Sequence, residues 1–313
     1  MDHPLVTVIC LSYNHRPFIQ EAVGSVLAQT YPNIQIILID DGSTDGSVHE
    51  LETIAQKNPD VELICLKQNV GNCKAFNVAF AKAKGDYIID FATDDVMMPD
   101  RIQEQVNLFK TLNDTYGAVF TDAVYIDEDG SLLYHHNEYL RRKKLMTTIP
   151  QGNVYPIVIE RYFISSPTMM IRKIVLDEMG GYDEQLAYED FDLWIRSSRN
   201  YQYAFLDRVL TKVRRRPSSM STGWYKPGDA QLHSTYLVCR KIFRLNRTPT
   251  EHRALVARLR YELRQSVFSK NLKEAKLFYD FLAELSCISG IDRFFYRTRN
   301  LPIPYRALRK LFR

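Results

Sequence analysis

Short apolar runs alternate with amphipathic stretches along the N-terminal part of the chain. Four runs rich in β-branched and aromatic residues begin near residues 5, 34, 61 and 87, and each has the length of a buried strand. Between them apolar residues recur at helical spacing, as from Pro17 to Leu27. The alternation predicts an α/β fold with a mixed, mainly parallel sheet flanked by helices. Residues 135–156 have the weakest pattern, which favours a solvated loop or a lid.

Three of the predicted strands end in polar residues that could take part in chemistry. The pairs are Tyr13 with Asn14, Asp40 with Asp41, and Asp94 with Asp95. Because the carboxyl ends of parallel strands meet at one edge of a sheet, these pairs should converge on a cleft of the nucleotide-binding type.

The pair Asp94 and Asp95 is the strongest candidate for a metal site. Adjacent carboxylates repel each other unless a cation or a hydrogen-bond donor lies between them. Mg²⁺ and Mn²⁺ prefer oxygen ligands and often bridge carboxylates to substrate phosphates. The alternative is two solvated loop aspartates, one of which caps the next helix.

A second acidic pair, Glu189 and Asp190, falls in the first turn of a predicted helix. Phe191, Trp194 and Ile195 follow at helical spacing and are expected to be core residues. Carboxylates in a first turn suit the helix dipole, so capping is one interpretation. The other is that Asp190 is a general base at the mouth of the cleft.

Several familiar motifs are absent or misplaced. Neither G-x-G-x-x-G nor G-x-x-x-x-G-K-[ST] occurs, which disfavours a classical dinucleotide site or a P-loop. The segment from Asp41 to Glu52 nearly fits a calcium loop, but Ile34–Ile39 before it has a strand pattern where an EF-hand needs a helix. The five cysteines are odd in number and lack C-x-x-C spacing, so neither disulfides nor zinc are expected.

The C-terminal part of the chain is helical in pattern and basic. Residues 231–313 contain 18 Lys and Arg against 6 Asp and Glu, whereas residues 1–230 contain 23 against 31. We therefore expect a catalytic domain over residues 1–225 and a basic helical extension over residues 226–313.

The end of the extension mixes aromatic residues with arginines from Phe294 to Arg313, which is typical of an interfacial helix on anionic lipid. A helical unit that completes the core or forms a dimer is the alternative. Nucleic-acid binding is not expected, because no recognised motif accompanies the charge.

The sequence also bears on location. No apolar run approaches the roughly 18 residues that a membrane span needs, and the N-terminus lacks the pattern of a signal peptide. We therefore expect a cytoplasmic protein, for which the basic tail offers peripheral attachment to the inner face of the cytoplasmic membrane.

Together these segments resemble the family 2 inverting glycosyltransferases, which have the GT-A fold, a Rossmann-like α/β architecture. The resemblance covers about residues 4–221 and rests on the order and spacing of its marks. These are Val6–Ile9 leading into Ser12-Tyr13-Asn14, Asp40–Asp45, Asn69-x-Gly71, Ala83–Tyr87, Asp94-Asp95 with Pro99, Gly180–Glu184, and Glu189-Asp190-x-Asp192-Leu193-Trp194-x-Arg196.

The resemblance implies a role for each matching residue. Tyr13 would lie against the nucleotide base, with Asn14 beside it in the donor site. Asp41 would accept hydrogen bonds from the base or ribose, and Asp40 would support the loop. Asp94 and Asp95 would hold the donor diphosphate through Mn²⁺ or Mg²⁺. Glu189 would belong to the donor site, and Asp190 would be the catalytic base.

Three positions depart from the family pattern and bear on metal affinity and donor type. Ala92 stands where the first aspartate of the D-x-D motif is usual. Phe76 stands where an arginine is often found, and Lys74 is a candidate to supply the missing charge. Arg216 stands where a histidine is often seen, and it either contacts the diphosphate or ends a solvated strand.

We therefore expect an inverting, metal-dependent glycosyltransferase that moves a sugar, most simply from a UDP-sugar, to a glycan or lipid-linked acceptor in the synthesis of envelope or surface polysaccharide. One alternative is a nucleotide-sugar-binding pseudoenzyme that lost metal affinity at Ala92. The other is a nucleotidyltransferase. The Glu189–Asp190 pair favours an enzyme over a binder, and Ser12–His15 lacks the Gly-rich, basic loop of a nucleotidyltransferase.

Overall fold

The computed structural model describes residues 3–216 and 225–301. Within these ranges nine strands form one sheet. They are β1 (Val6–Ser12), β2 (Ile34–Asp40), β3 (Glu62–Cys65), β4 (Tyr87–Ala92), β5 (Val96–Met97), β6 (Tyr116–Ile126), β7 (Leu132–His135), β8 (Met170–Arg172) and β9 (Gln202–Arg214).

Eight α-helices accompany the sheet within the described part of the α/β body. They are α1 (Ile19–Leu27), α2 (Ser47–Lys57), α3 (Asn72–Phe80), α4 (Arg101–Thr111), α5 (His136–Arg142), α6 (Tyr155–Glu160), α7 (Lys173–Met179) and α8 (Asp190–Ser198). The helices α5 and α6 occupy part of the weakly patterned stretch, where a loop was expected. A 3-10 turn, Ser166–Thr168, precedes β8.

The strand order is β3-β2-β1-β4-β8-β6-β9-β5, and β7 pairs with β6 at the side of this path. The strands β1 to β4 are parallel, β8 runs antiparallel to both β4 and β6, and β6 is parallel to β9. This arrangement confirms the predicted mixed, mainly parallel sheet. In this order β4 lies near the middle of the sheet, between β1 and β8.

The central strands are apolar because helices cover both faces of the sheet. Alternate residues of β1 enter two different apolar clusters, with Ile9 and Leu11 in one and Val8 and Cys10 in the other. A strand that is buried on both faces needs such a continuous apolar run.

The C-terminal helices are α9 (Ala230–Leu245), α10 (Pro249–Phe268), α11 (Leu272–Glu284) and α12 (Gly290–Thr298). Thr248 and Glu251 form a capping box that starts α10. Buried residues of these helices, such as Leu232 and Leu259, belong to the same apolar cluster as Ile9 of the sheet. The extension therefore packs on the α/β body. The boundary between residues 225 and 226 stays a prediction, because residues 217–224 next to it lie outside the described ranges.

Among the described residues, no helix combines the length and the hydropathy needed to cross a lipid bilayer. The predicted membrane contact of the tail falls partly on residues 302–313, which also lie outside the described ranges.

Candidate active site

The ends of β1 and β2 form one wall of the site. Their register pairs Ser12 with Asp40, so the loops that follow lie side by side. The buried Asp40 carboxylate accepts hydrogen bonds from the Ser43 amide (2.7 Å) and hydroxyl (2.6 Å). Ser43 Oγ in turn accepts from the Asn14 amide (2.8 Å), and Asn14 Oδ1 accepts from the Thr44 amide (2.9 Å). Asp40 and Asn14 therefore fix the loops to each other.

The next carboxylate, Asp41, joins the second loop to a third. It accepts hydrogen bonds from the amides of Val70 (2.7 Å) and Gly71 (3.0 Å), just before α3 begins. Burial raises the pKa of Asp41, and the two amide donors oppose that shift. Tyr13 remains 43% exposed, so its ring is available as a stacking surface. Lys74 is exposed on α3.

Past the end of β4, Asp94 lies in contact with two basic side chains. Arg216 Nε is 2.8 Å from Asp94 Oδ2, and His15 Nε2 is 3.7 Å from the same oxygen. Burial lowers the pKa of His15, which favours the neutral ring. Arg216 Nη2 donates to His15 Nε2 (2.7 Å), so the ring proton resides on Nδ1, which is 3.0 Å from Thr93 Oγ1. The predicted donor residues Asp94 and Arg216 thus form an ion pair.

Asp95 is buried and faces Arg214, the last residue of β9. Its Oδ1 accepts from the Arg214 amide (2.8 Å), and the Arg214 guanidinium donates to the Asp94 carbonyl (2.9 Å). Burial, followed by the charge of Asp94, raises the pKa of Asp95 well above its usual value. Burial also lowers the pKa of the nearby Arg101 to about 9. Two buried arginines, Arg101 and Arg214, therefore lie near Asp95.

Asp94 and Asp95 by themselves are too few ligands to hold a metal ion. In the part of the chain that the structure describes, no group of three or more His, Cys, Asp or Glu side chains could hold a metal ion. Mg²⁺ typically binds one or two carboxylates together with substrate phosphates and water. Asp94 and Asp95 therefore do not form a complete metal site, and a metal there would need further ligands such as a bound diphosphate.

A second acidic cluster contains a residue of β4 itself. Asp190 is the first residue of α8, and its side chain lies close to those of Ser166 and Glu189. Asn72 Nδ2 donates to Glu189 Oε2. Burial is the main cause that raises the pKa of both carboxyl groups, and for Glu189 the charge of Asp190 adds to it.

The cluster contains a third carboxyl group, Asp90, which the sequence motifs did not reveal. Tyr182 Oη donates to Asp90 Oδ2 (3.1 Å), and burial raises the pKa of Asp90 to about 7. Asp90 lies two residues before Ala92 on β4, so both face the same side of the sheet. The available signal was a carboxylate inside an otherwise apolar strand.

The comparisons with known proteins agree with this architecture. A family model described as Glycosyl transferase family 2 matches residues 7–179. An uncharacterized glycosyltransferase of Rickettsia prowazekii is 34% identical over 212 residues, which is 67% of this chain and 64% of that protein. An uncharacterized glycosyltransferase of Haemophilus influenzae is 38% identical over 107 residues, which is 34% of this chain and 43% of that protein. The chain thus spans less than two thirds of the length of these relatives.

Two solved structures share the fold. The structure of S. aureus TarS 1-349 with UDP-GlcNAc has a TM-score of 0.67 at 18% identity, with 97% of this chain and 87% of that chain covered. The mannosyltransferase PcManGT from Pyrobaculum calidifontis, in complex with GDP-Man and Mn²⁺, has a TM-score of 0.61 at 17% identity, with 99% and 84% covered. At these identities the likeness concerns the fold.

Proposed function

Because the chain belongs to glycosyltransferase family 2, we propose that it transfers a sugar from a nucleotide-sugar donor to an acceptor hydroxyl with inversion at the anomeric carbon. The observation that carries the proposal is the position of two acidic groups around β4. Asp94 and Asp95 follow its end, while Asp190 belongs to the separate cluster with Asp90. Asp94 and Asp95 would hold the leaving diphosphate, and Asp190 would take the proton of the acceptor hydroxyl.

On the donor side, the loops after β1 and β2 would bind the nucleoside. Asp41 accepts amide hydrogen bonds from Val70 and Gly71 and so keeps the wall of the site rigid. Tyr13 would stack on the base, and Asn14 and Asp40 would maintain the loops that surround it. Among its fold neighbours, TarS binds UDP-GlcNAc and PcManGT binds GDP-Man. We favour a UDP-sugar as the donor.

On the phosphate side, Asp94 and Asp95 would hold Mn²⁺ or Mg²⁺ together with the diphosphate. A bound divalent cation would stabilise the charge that develops on the leaving group. Arg216, which pairs with Asp94, would place a positive charge near the same phosphates. Lys74 is the further candidate for a phosphate contact.

On the acceptor side, Asp190 would act as general base. The acceptor oxygen would attack C1 of the sugar, the bond between C1 and the phosphate oxygen would break, and the acceptor proton would pass to Asp190. The nucleoside diphosphate would leave with the electron pair of the broken bond. Ser166 lies close to Asp190 and would donate a hydrogen bond to its carboxylate.

For the acceptor we propose a hydroxyl of a glycan or a lipid-linked glycan in envelope or surface polysaccharide synthesis. Support comes from α12, where Ile291 and Phe294 are exposed beside Arg293 and Arg297. An apolar strip bordered by arginines suits the surface of an anionic membrane.

The test is donor hydrolysis over a panel of UDP-, GDP- and dTDP-sugars, each with Mn²⁺ or with EDTA. The proposal predicts turnover of one donor with Mn²⁺ and little turnover with EDTA. Binding of a donor without turnover, even when lipid-linked acceptors are added, would favour a nucleotide-sugar-binding protein instead. The Arg216–Asp94 ion pair is the observation that would support that second candidate.

A further inference from the structure

A ring nitrogen of His15 lies close to the Asp94 carboxylate. His15 Nε2 is 3.7 Å from Asp94 Oδ2, and both residues are buried. A neutral imidazole nitrogen and a carboxylate oxygen are both metal ligands. At metal–ligand distances of about 2.1 Å, two ligands of one ion lie within about 4.2 Å of each other, and this pair meets that limit. His15 can therefore join Asp94 on one cation, provided that Nε2 carries no proton.

The hydrogen bonds around His15 leave Nε2 without a proton. Arg216 Nη2 is 2.7 Å from Nε2, and because a guanidinium can only donate, Nε2 must accept. The ring proton is then on Nδ1, which is 3.0 Å from Thr93 Oγ1, and the Thr93 hydroxyl in turn donates to the Leu11 carbonyl (3.3 Å). The His15 amide donates to Ser47 Oγ (3.0 Å) and fixes the backbone. Histidines that bind metals are oriented in this way, by a hydrogen bond from the other ring nitrogen.

Arg216 occupies both of these ligand atoms. Its Nε lies 2.8 Å from Asp94 Oδ2 while its Nη2 donates to His15 Nε2, so one guanidinium bridges the carboxylate and the ring. The nitrogen has a single lone pair, so a divalent cation and Arg216 exclude each other at His15. A diphosphate removes the competition, because its oxygens offer the guanidinium a bidentate anionic partner.

We propose that His15 Nε2 and Asp94 Oδ2 are paired protein ligands of the divalent cation, and that Arg216 holds them until the diphosphate of a nucleotide takes over its guanidinium. Metal and donor then bind together, because the diphosphate releases the two ligands that the metal needs. An imidazole in the ligand set also favours Mn²⁺ over Mg²⁺, which is the harder cation and prefers oxygen. The inference deepens the proposed function, since it rests on the proposed metal role of Asp94.

The first test uses Mn²⁺ alone, without a donor, and measures its Kd by electron paramagnetic resonance. Arg216→Met frees both ligand atoms, so it should bind Mn²⁺ about tenfold or more tightly than the wild type. The control is Arg215→Met, which removes the same charge from a guanidinium that lies over the Tyr125 ring. It should change the Kd by less than about threefold. Equal Mn²⁺ affinity in wild type and Arg216→Met would overturn the proposal.

A second variant separates His15 from Asp94 in the same titration. In His15→Asn the amide can still donate to Thr93, but no atom takes the place of Nε2. Added to Arg216→Met, it should weaken Mn²⁺ binding by about tenfold or more. If the double variant kept the affinity of Arg216→Met, Asp94 alone would explain the gain and His15 would not be a ligand.

The last test examines the wild type with Mn²⁺ and UDP as the probe. Electron spin-echo envelope modulation should show the nitrogen of a coordinated imidazole, and His15→Asn should lose that signal. A complex of the wild type with Mn²⁺ and UDP that lacks the signal would exclude His15 as a ligand. Failure of UDP to bind would contradict the proposed function instead, and the titration with Mn²⁺ alone would still decide on His15 and Arg216.

Discussion

A buried ion pair within α10 packs against the helix that carries Asp190. Arg258 of α10 is 3% exposed and Glu262, one turn later, is fully buried. Arg258 Nη1 donates to Glu262 Oε1 (3.1 Å), and its Nε donates to the Ile159 carbonyl (2.8 Å). Its guanidinium lies over the rings of Tyr162 (4.3 Å) and Phe191 (5.0 Å). Phe191 follows Asp190 directly in the sequence, so Arg258 packs against the helix that positions Asp190.

Replacing Arg258 with methionine should be strongly destabilising. Methionine preserves much of the apolar contact but leaves Glu262 buried without its cation. Breaking such a pair by removing one partner costs about 3–5 kcal/mol. Burial already raises the pKa of Glu262 against the opposing effect of Arg258, so the variant should also lose more stability as pH rises.

The assay is urea unfolding of Arg258→Met, with Arg253→Met as the matched control. Arg253 is exposed on the same helix, and its replacement should change the free energy of unfolding by less than about 0.5 kcal/mol. A second variant, Arg258→Met with Glu262→Leu, removes both charges and should recover much of the loss. A loss below about 1 kcal/mol in Arg258→Met, the range of an exposed ion pair, would refute the reasoning.

Two further substitutions test other parts of the account. Gly42→Ala should weaken donor binding measured by calorimetry. The glycine has φ +72°, and an added Cβ would lie 2.4 Å from the Gln68 carbonyl carbon. Unchanged donor affinity would show that this loop does not contribute to donor binding. Phe294→Glu should reduce sedimentation with phosphatidylglycerol vesicles, whereas Ile174→Glu, at a similarly exposed residue of α7, should not. Equal binding by both variants would exclude α12 as the membrane contact.

The parts of the fold that the sequence predicts are those whose pattern is local. The strands β1, β2 and β4 are mostly apolar runs, and the ends of β1 and β2 come together because parallel register requires it. Residues 135–156 were harder to predict, because α5 and α6 are short and their buried residues, such as Leu140 and Val158, pack on distant parts of the chain.

The acidic cluster shows why the site was predicted only in part. Asp190 belongs to a recognisable segment, but the partner of Asp90 is Tyr182, 92 positions away, and that of Glu189 is Asn72, 117 positions away. No spacing in the sequence connects them. The ion pair of Arg216 with Asp94 likewise depends on the pairing of β9 with β5, the short strand that follows Asp94 and Asp95. Contacts of this kind follow from the assembled sheet.

The central claim is that Asp190 takes the proton of the acceptor, and Asp190→Asn tests it directly. Asparagine keeps the size of the side chain, but it cannot take up a proton. With the donor that the wild type hydrolyses, the account predicts that kcat falls by about 10² to 10⁴, the usual contribution of a general base, while the Kd of the donor stays within about threefold. A variant that turns over at the wild-type rate with unchanged donor affinity would contradict it.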